Sequence, residues 1–111
     1  MKTQQIAIIL SIFAIILTSC SNQSRLLANI DSYIQTYPDS AYTELKKYKE
    51  SDFTSRKNRA KYCTLYATAL DKNYNDTSKF LDTLISYKNY YAHHGSKRDR
   101  MLYNFYLGDQ M

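Results

Sequence analysis

The chain has 111 residues, of which 23% are charged, and carries a formal net charge of +5. That length leaves room for one small domain, and two glycines and one proline are too few turn formers for a many-stranded β fold. The basic excess is mild and spread along the chain, so it favours an anionic surface or acidic partner without demanding either.

Lys2 gives the N-terminus a positive start, and Ile6 to Leu17 is apolar apart from Ser11. The run is short of the roughly 20 apolar residues that a spanning helix needs, and it suits the apolar region of a signal peptide. It ends in Leu17-Thr18-Ser19-Cys20. This tetrad resembles the lipobox of bacterial lipoproteins. The resemblance implies diacylglyceryl attachment to the Cys20 thiol, cleavage before Cys20, and fatty acylation (palmitate or similar) of the new amine. A thiol is the side chain suited to forming that thioether. Each buried methylene then contributes about 0.8 kcal/mol, so several acyl chains hold a protein durably to a bilayer.

The expected organisation is a signal peptide over 1–19, a lipidated Cys20 with a polar tether over 20–24, and a helical domain over 25–111. The tether, Ser21-Asn22-Gln23-Ser24, has no acidic residue, so it carries no evident sorting signal. The expected location is the cell envelope, on the periplasmic side or at the outer membrane. With Cys20 acylated, Cys63 has no intrachain partner and no disulfide framework exists.

Beyond Ser24 the apolar spacing is helical. A first helix over Arg25 to Tyr37 places Leu26, Leu27, Ile30, Tyr33, Ile34 and Tyr37 on one stripe. Pro38 stops it and opens a second over about Asp39 to Lys49, with Ala41, Tyr42, Leu45 and Tyr48 inward. Ser55 is a fair N-cap for a third helix reaching Lys72, apolar on two sides and therefore packed on two sides. After a turn at Asn73 to Asp76, a fourth helix carries Phe80, Leu84, Tyr87 and Tyr91 on one line. Gly95 fits the left-handed position that ends it. A fifth begins near Lys97 and puts Met101, Leu102, Phe105 and Tyr106 inward. Short loops between amphipathic helices imply antiparallel hairpins. The fold class is thus all-α, about five helices in stacked hairpins.

Five stretches occur in order along the chain: Pro38-Asp39-Ser40-Ala41, the run Ser55 to Tyr62, Asp71-Lys72-Asn73-Tyr74, Tyr90-Tyr91-Ala92-His93-His94-Gly95, and Tyr106-Leu107-Gly108. That succession is similar to the N-terminal portion of a family of bacterial tetratricopeptide-repeat (TPR) lipoproteins. The resemblance implies a TPR-like α-solenoid, with Gly108 on the first helix of a repeat where a partner helix approaches closely. Asn104 stands where the repeat's characteristic aromatic residue belongs, and the helix that should pair with Lys97 to Met111 is missing. A truncated member and a genuine short protein are both consistent with that.

Candidate chemistry is sparse. His93 and His94 are adjacent, so on a helix they point about 100° apart and do not converge on one ion; no metal and no cofactor are expected. Cys63 lies among Ala60, Ala67 and Leu70 and reads as a small core residue. Arg56-Lys57-Asn58-Arg59 and Lys97-Arg98-Asp99-Arg100 are basic clusters at helix starts. They read as solvated faces or contacts to anionic headgroups, and the leader argues against nucleic acid. Among twelve tyrosines, Tyr33, Tyr62, Tyr66, Tyr74, Tyr90 and Tyr103 are the candidate aromatic contacts for a partner. The expected function is a membrane-anchored, non-enzymatic interaction or scaffold module for a protein or peptide. The alternative is the sensor ectodomain portion of a longer signalling protein.

Overall fold

In a computed structural model of the protein, residues 20–110 are described, and among them the chain is helical with no strand. The predicted leader over 1–19 lies outside the described residues. The helices are α1 (Cys20–Tyr33), α2 (Pro38–Leu45), α3 (Arg56–Lys72), α4 (Leu81–Ile85), α5 (Lys88–His93) and α6 (Lys97–Gln110). Single 3-10 turns lie at Glu50–Asp52 and Ser78–Phe80. No described helix is long and apolar enough to cross a membrane.

Helix α3 is the central element, packing against α1, α2, α4 and α6. Its N-cap is Ser55, whose hydroxyl accepts the Asn58 N–H at 3.1 Å, as the sequence predicts. Ala60, Tyr62, Cys63, Leu65, Ala67 and Ala69 are buried along it, and so are Thr64 and Thr68. The threonine hydroxyls return to the carbonyls four residues back, which satisfies them inside the core. The burial on two sides follows from the two apolar stripes. Contacts fix the helix directions. Ser24 meets Asn58 and Asp31 meets Lys61, so α1 and α3 run the same way. Asn73 donates to the Pro38 carbonyl at 2.9 Å and Tyr62 to that of Leu45 at 3.2 Å, so α2 runs antiparallel between them.

Pro38 opens α2 from its first turn, where a missing N–H costs nothing. The fourth predicted helix is broken in two. Ser86 Oγ donates to the Thr83 carbonyl, and the Tyr87 N–H turns to Leu84, three residues back. A side chain that takes a backbone acceptor interrupts the helical ladder at that point. Gly95 has φ +95°, as the sequence predicts, and a Cβ there would meet the Tyr91 ring at 3.3 Å.

Helix α3 ends at Lys72, where the sequence places the turn, and its C-terminus is closed by backbone bonds. The Asn75 N–H reaches the Leu70 carbonyl at 2.9 Å and the Tyr74 N–H that of Asp71 at 3.0 Å. This is the Schellman pattern, and its left-handed residue is Tyr74, with φ +60°. Glycine usually holds that position; a tyrosine there carries a steric cost.

The stretch expected to be a tether is the first turn of α1. Gln23 is 3% exposed. Its amide donates to the Asp52 carbonyl at 2.9 Å and its oxygen accepts the Thr54 N–H at 3.0 Å. Partners some thirty residues away, rather than local propensity, put this polar turn inside the fold.

Candidate functional site

Two adjoining surfaces stand out, one polar and one apolar. The polar one is a cleft of about 410 Å³ where α1, α3 and the start of α6 meet, lined by Ser24, Asp31, Lys57, Lys61, Tyr90 and Asp99 among others. At its centre Lys61 Nζ lies 2.7 Å from Asp31 and 2.5 Å from Asp99. Arg98 Nη1 sits 2.5 Å from the same Asp31. Burial raises the Asp31 pKa, but hydrogen bonds from Arg98 and Lys61, and their charges, outweigh it and hold the carboxyl below the ordinary value of 3.8. In turn the hydrogen bond to Asp31 raises the Arg98 pKa. Four charges of alternating sign thus pin α6 to α1 and α3.

Arg98 also borders the second surface, a shelf formed with Gln35, Lys97, Met101, Leu102 and Phe105. Met101 is 63% exposed and Phe105, one helical turn later, 61%. The sequence expectation had both facing inward. Instead α6 is rotated so that Tyr103, Tyr106 and Leu107 enter the core, with Leu102 at its edge. Tyr103 decides the rotation: its ring stacks on Tyr91 with centroids 4.3 Å apart, and its hydroxyl donates to the Leu84 carbonyl. Gly108 has open space beside it, since a Cβ there would meet nothing within 4 Å.

The six candidate tyrosines separate. Tyr62 and Tyr103, 4% and 1% exposed, are core residues and cannot serve as surface contacts. The Tyr62 hydroxyl donates to the Tyr48 carbonyl at 2.7 Å, and its ring stacks on Phe53. Tyr33, Tyr66 and Tyr90 are half-buried; Tyr66 stacks on Phe80 at 5.1 Å and Tyr90 on His94 at 5.2 Å. Tyr74 is 97% exposed. The tyrosines therefore serve mainly to join helices through ring contacts, with hydroxyls tied to backbone at Tyr62 and Tyr103 and to side chains at Tyr48, Tyr87 and Tyr91.

Cys63 is a free, buried cysteine. Burial, then the Glu50 carboxylate, pushes its thiol far above the ordinary value of 9.0, so it stays protonated. Glu50 also accepts the Tyr87 hydroxyl. Cys20 is the first residue of α1. His93 and His94 are both exposed at the end of α5. The shelf was not found from the sequence because α6 is apolar nearly all round between Met101 and Leu107, so spacing alone does not select its inner face.

No protein-family model, curated protein or solved structure matches this chain.

Proposed function

We propose that this protein is an envelope lipoprotein, acylated at Cys20, whose TPR-like helical domain binds a protein segment across the α6 shelf and has no catalytic role. The observation that carries the binding reading is the exposure of Met101 and Phe105 on one face of α6, beside half-buried Leu102. Large apolar side chains gathered on one face mark interaction sites more often than isolated ones do. Lys97 at its edge, beside Arg98 paired with Asp31, supplies the charged rim usual around such a patch. The segment expected is therefore apolar with acidic flanks. The hairpin reading is supported by α1 and α3 running in one direction with α2 antiparallel between them. The anchor is supported by the Leu17-Thr18-Ser19-Cys20 motif after a short apolar run.

Two measurements test this. A photo-crosslinker placed at Phe105 in cells should give a discrete adduct, while one at Asp71, on the far end of α3, should not; equal yields at both positions would refute a dedicated shelf. Metabolic labelling with a fatty-acid analogue should mark the wild type and not Cys20→Ala. Equal labelling would refute the anchor.

A further inference from the structure

We infer that the end of the domain from which α1 starts is a membrane-facing surface, on which Arg25, Arg56 and Lys57 engage anionic phospholipid headgroups and fix one orientation of the domain. This rests on the reading of Cys20 as acylated.

The first step is mechanical. Cys20 begins α1, and Gln23, three residues on, is buried and bonded to Asp52 and Thr54. Ser24 Oγ donates to Asn58 at 3.0 Å. Three helical residues span about 4.5 Å. No flexible spacer therefore separates the acylated residue from the packed domain, and whatever surrounds the start of α1 lies close to the bilayer surface.

The second step is the charge of those surroundings. The Gln23 and Ser24 bonds place segment 52–58 beside the start of α1. Arg25, Arg56 and Lys57 are exposed there, and among the described residues no carboxylate forms an ion pair with them. The neighbouring carboxylates Glu50 and Asp52 accept the neutral Tyr87 hydroxyl and, at 2.8 Å, the Lys49 N–H and so keep their charge, but Arg25, Lys49, Arg56, Lys57 and Arg59 outnumber them five to two. Arg59 donates to the Phe53 and Thr54 carbonyls at 3.1 Å and Arg56 to the Ser86 carbonyl at 3.4 Å, neutral partners that leave both positive charges uncompensated.

The third step concerns the helix itself. The first turn of α3 holds Arg56, Lys57 and Arg59 and no acid. Cations at a helix N-terminus oppose the dipole, so inside the protein this arrangement is unfavourable. An anionic surface facing the same turn offsets that, and it acts within a screening length of about 10 Å. An acyl chain and a basic patch together form the two-part anchor that holds peripheral proteins to anionic bilayers.

The test uses the full acylated chain, labelled with a fluorophore at Ser51→Cys near this end or at Asp71→Cys at the far end, Cys63 being buried. It is reconstituted in vesicles of phosphatidylcholine alone or with phosphatidylglycerol, and a headgroup-borne quencher reports proximity. Quenching at position 51 is expected to exceed that at 71 several-fold. The gap should widen with phosphatidylglycerol and shrink in about 1 M salt, where screening falls to about 3 Å. Arg25→Gln with Arg56→Gln and Lys57→Gln should erase the phosphatidylglycerol dependence. Equal quenching at the two positions, or no response to phosphatidylglycerol, overturns the inference and leaves an acidic protein partner as the user of this patch. Mass spectrometry of the vesicle-bound chain separates the two readings: a chain without the acyl group refutes the anchor, and an acylated chain without the gap refutes the orientation.

Discussion

Asp31 on α1 lies 2.7 Å from the ammonium of Lys61 on α3 and carries Arg98 of α6 on its other side. One carboxylate thereby ties together three helices that are far apart in sequence. Its folded pKa is below 3.8, so it stabilises the fold fully above the unfolded value. That contribution is lost as the pH falls below 3.8 through the folded value. Acid should therefore loosen α6 first. Asp31→Asn is expected to cost roughly 1.5–3 kcal/mol at neutral pH, the range for hydrogen bonds to charged groups. It should also flatten the loss of stability in acid. Denaturant titrations at several pH values check both; a variant with the wild-type acid profile would contradict the assignment.

Gln23 gives a second prediction. Gln23→Leu keeps similar bulk but leaves the Thr54 N–H and the Asp52 carbonyl without their side-chain partner. These backbone groups are part-buried on exposed residues, so losing their bonds to Gln23 costs about 0.5–1.5 kcal/mol each, the net worth of a hydrogen bond. Equilibrium unfolding should show that loss, and amide exchange should speed up selectively over 52–58. A neutral variant would mean that the first turn of α1 is not docked.

Local signals were legible in the sequence and long-range ones were not. Pro38, Ser55 and Gly95 act through their own backbone geometry or the next turn, so their roles follow from residue type and position. The buried stripes of α1 and α3 followed from spacing, except at Tyr37, which lies beyond the end of α1 and is 60% exposed. Gln23 was not legible: as a glutamine in a polar run it resembles a spacer, and only Asp52 and Thr54 draw it inward. Ser86 was hidden for a related reason, since a serine in a helix is ordinary until its hydroxyl takes a local carbonyl. The shelf on α6 depended on which of several apolar faces turned inward, a choice made by Tyr91 and Leu84 on other elements.

The buried tyrosines set the alkaline limit. Burial raises Tyr103 from 10.0 to about 12. Tyr62, Tyr87 and Tyr91 are pushed higher still, in each case chiefly by burial. A raised folded value means the stabilisation is complete below pH 10 and is lost as the pH climbs toward the folded values. These four should ionise together with the loss of helicity, in one cooperative step of tyrosinate absorbance above pH 10. Tyr103→Phe removes one of them and should shift that step to higher pH; it also strips the Leu84 carbonyl of a donor, at a cost of about 1 kcal/mol near neutrality.

The shelf and the core make opposite demands on α6. Met101→Ser with Phe105→Ser removes two largely exposed side chains and should change stability by no more than about 0.5 kcal/mol per site. Tyr106→Ala empties a buried position and should cost about 3–5 kcal/mol, the range for large aromatic truncations. Thermal unfolding of the two variants checks the rotation of the helix directly. If the double serine variant were the more damaged, Met101 and Phe105 would be the inward face.

Tyr74 separates stability from binding at one position. It holds the left-handed residue of the α3 cap at φ +60°, yet its ring is 97% exposed and so gains little from packing. Left-handed backbone costs an ordinary side chain about 1–2 kcal/mol, and asparagine tolerates it better through local hydrogen bonding. Tyr74→Asn should therefore raise stability by part of that cost, about 0.5–1 kcal/mol. The Tyr74 and Asn75 N–H bonds that close the cap are backbone bonds and survive the change. Tyr74 lies three residues from Asp71, at the end of α3 away from the shelf, so partner crosslinking from Phe105 should stay constant in Tyr74→Asn. A loss of stability in this variant would show that the exposed ring contributes to the fold after all.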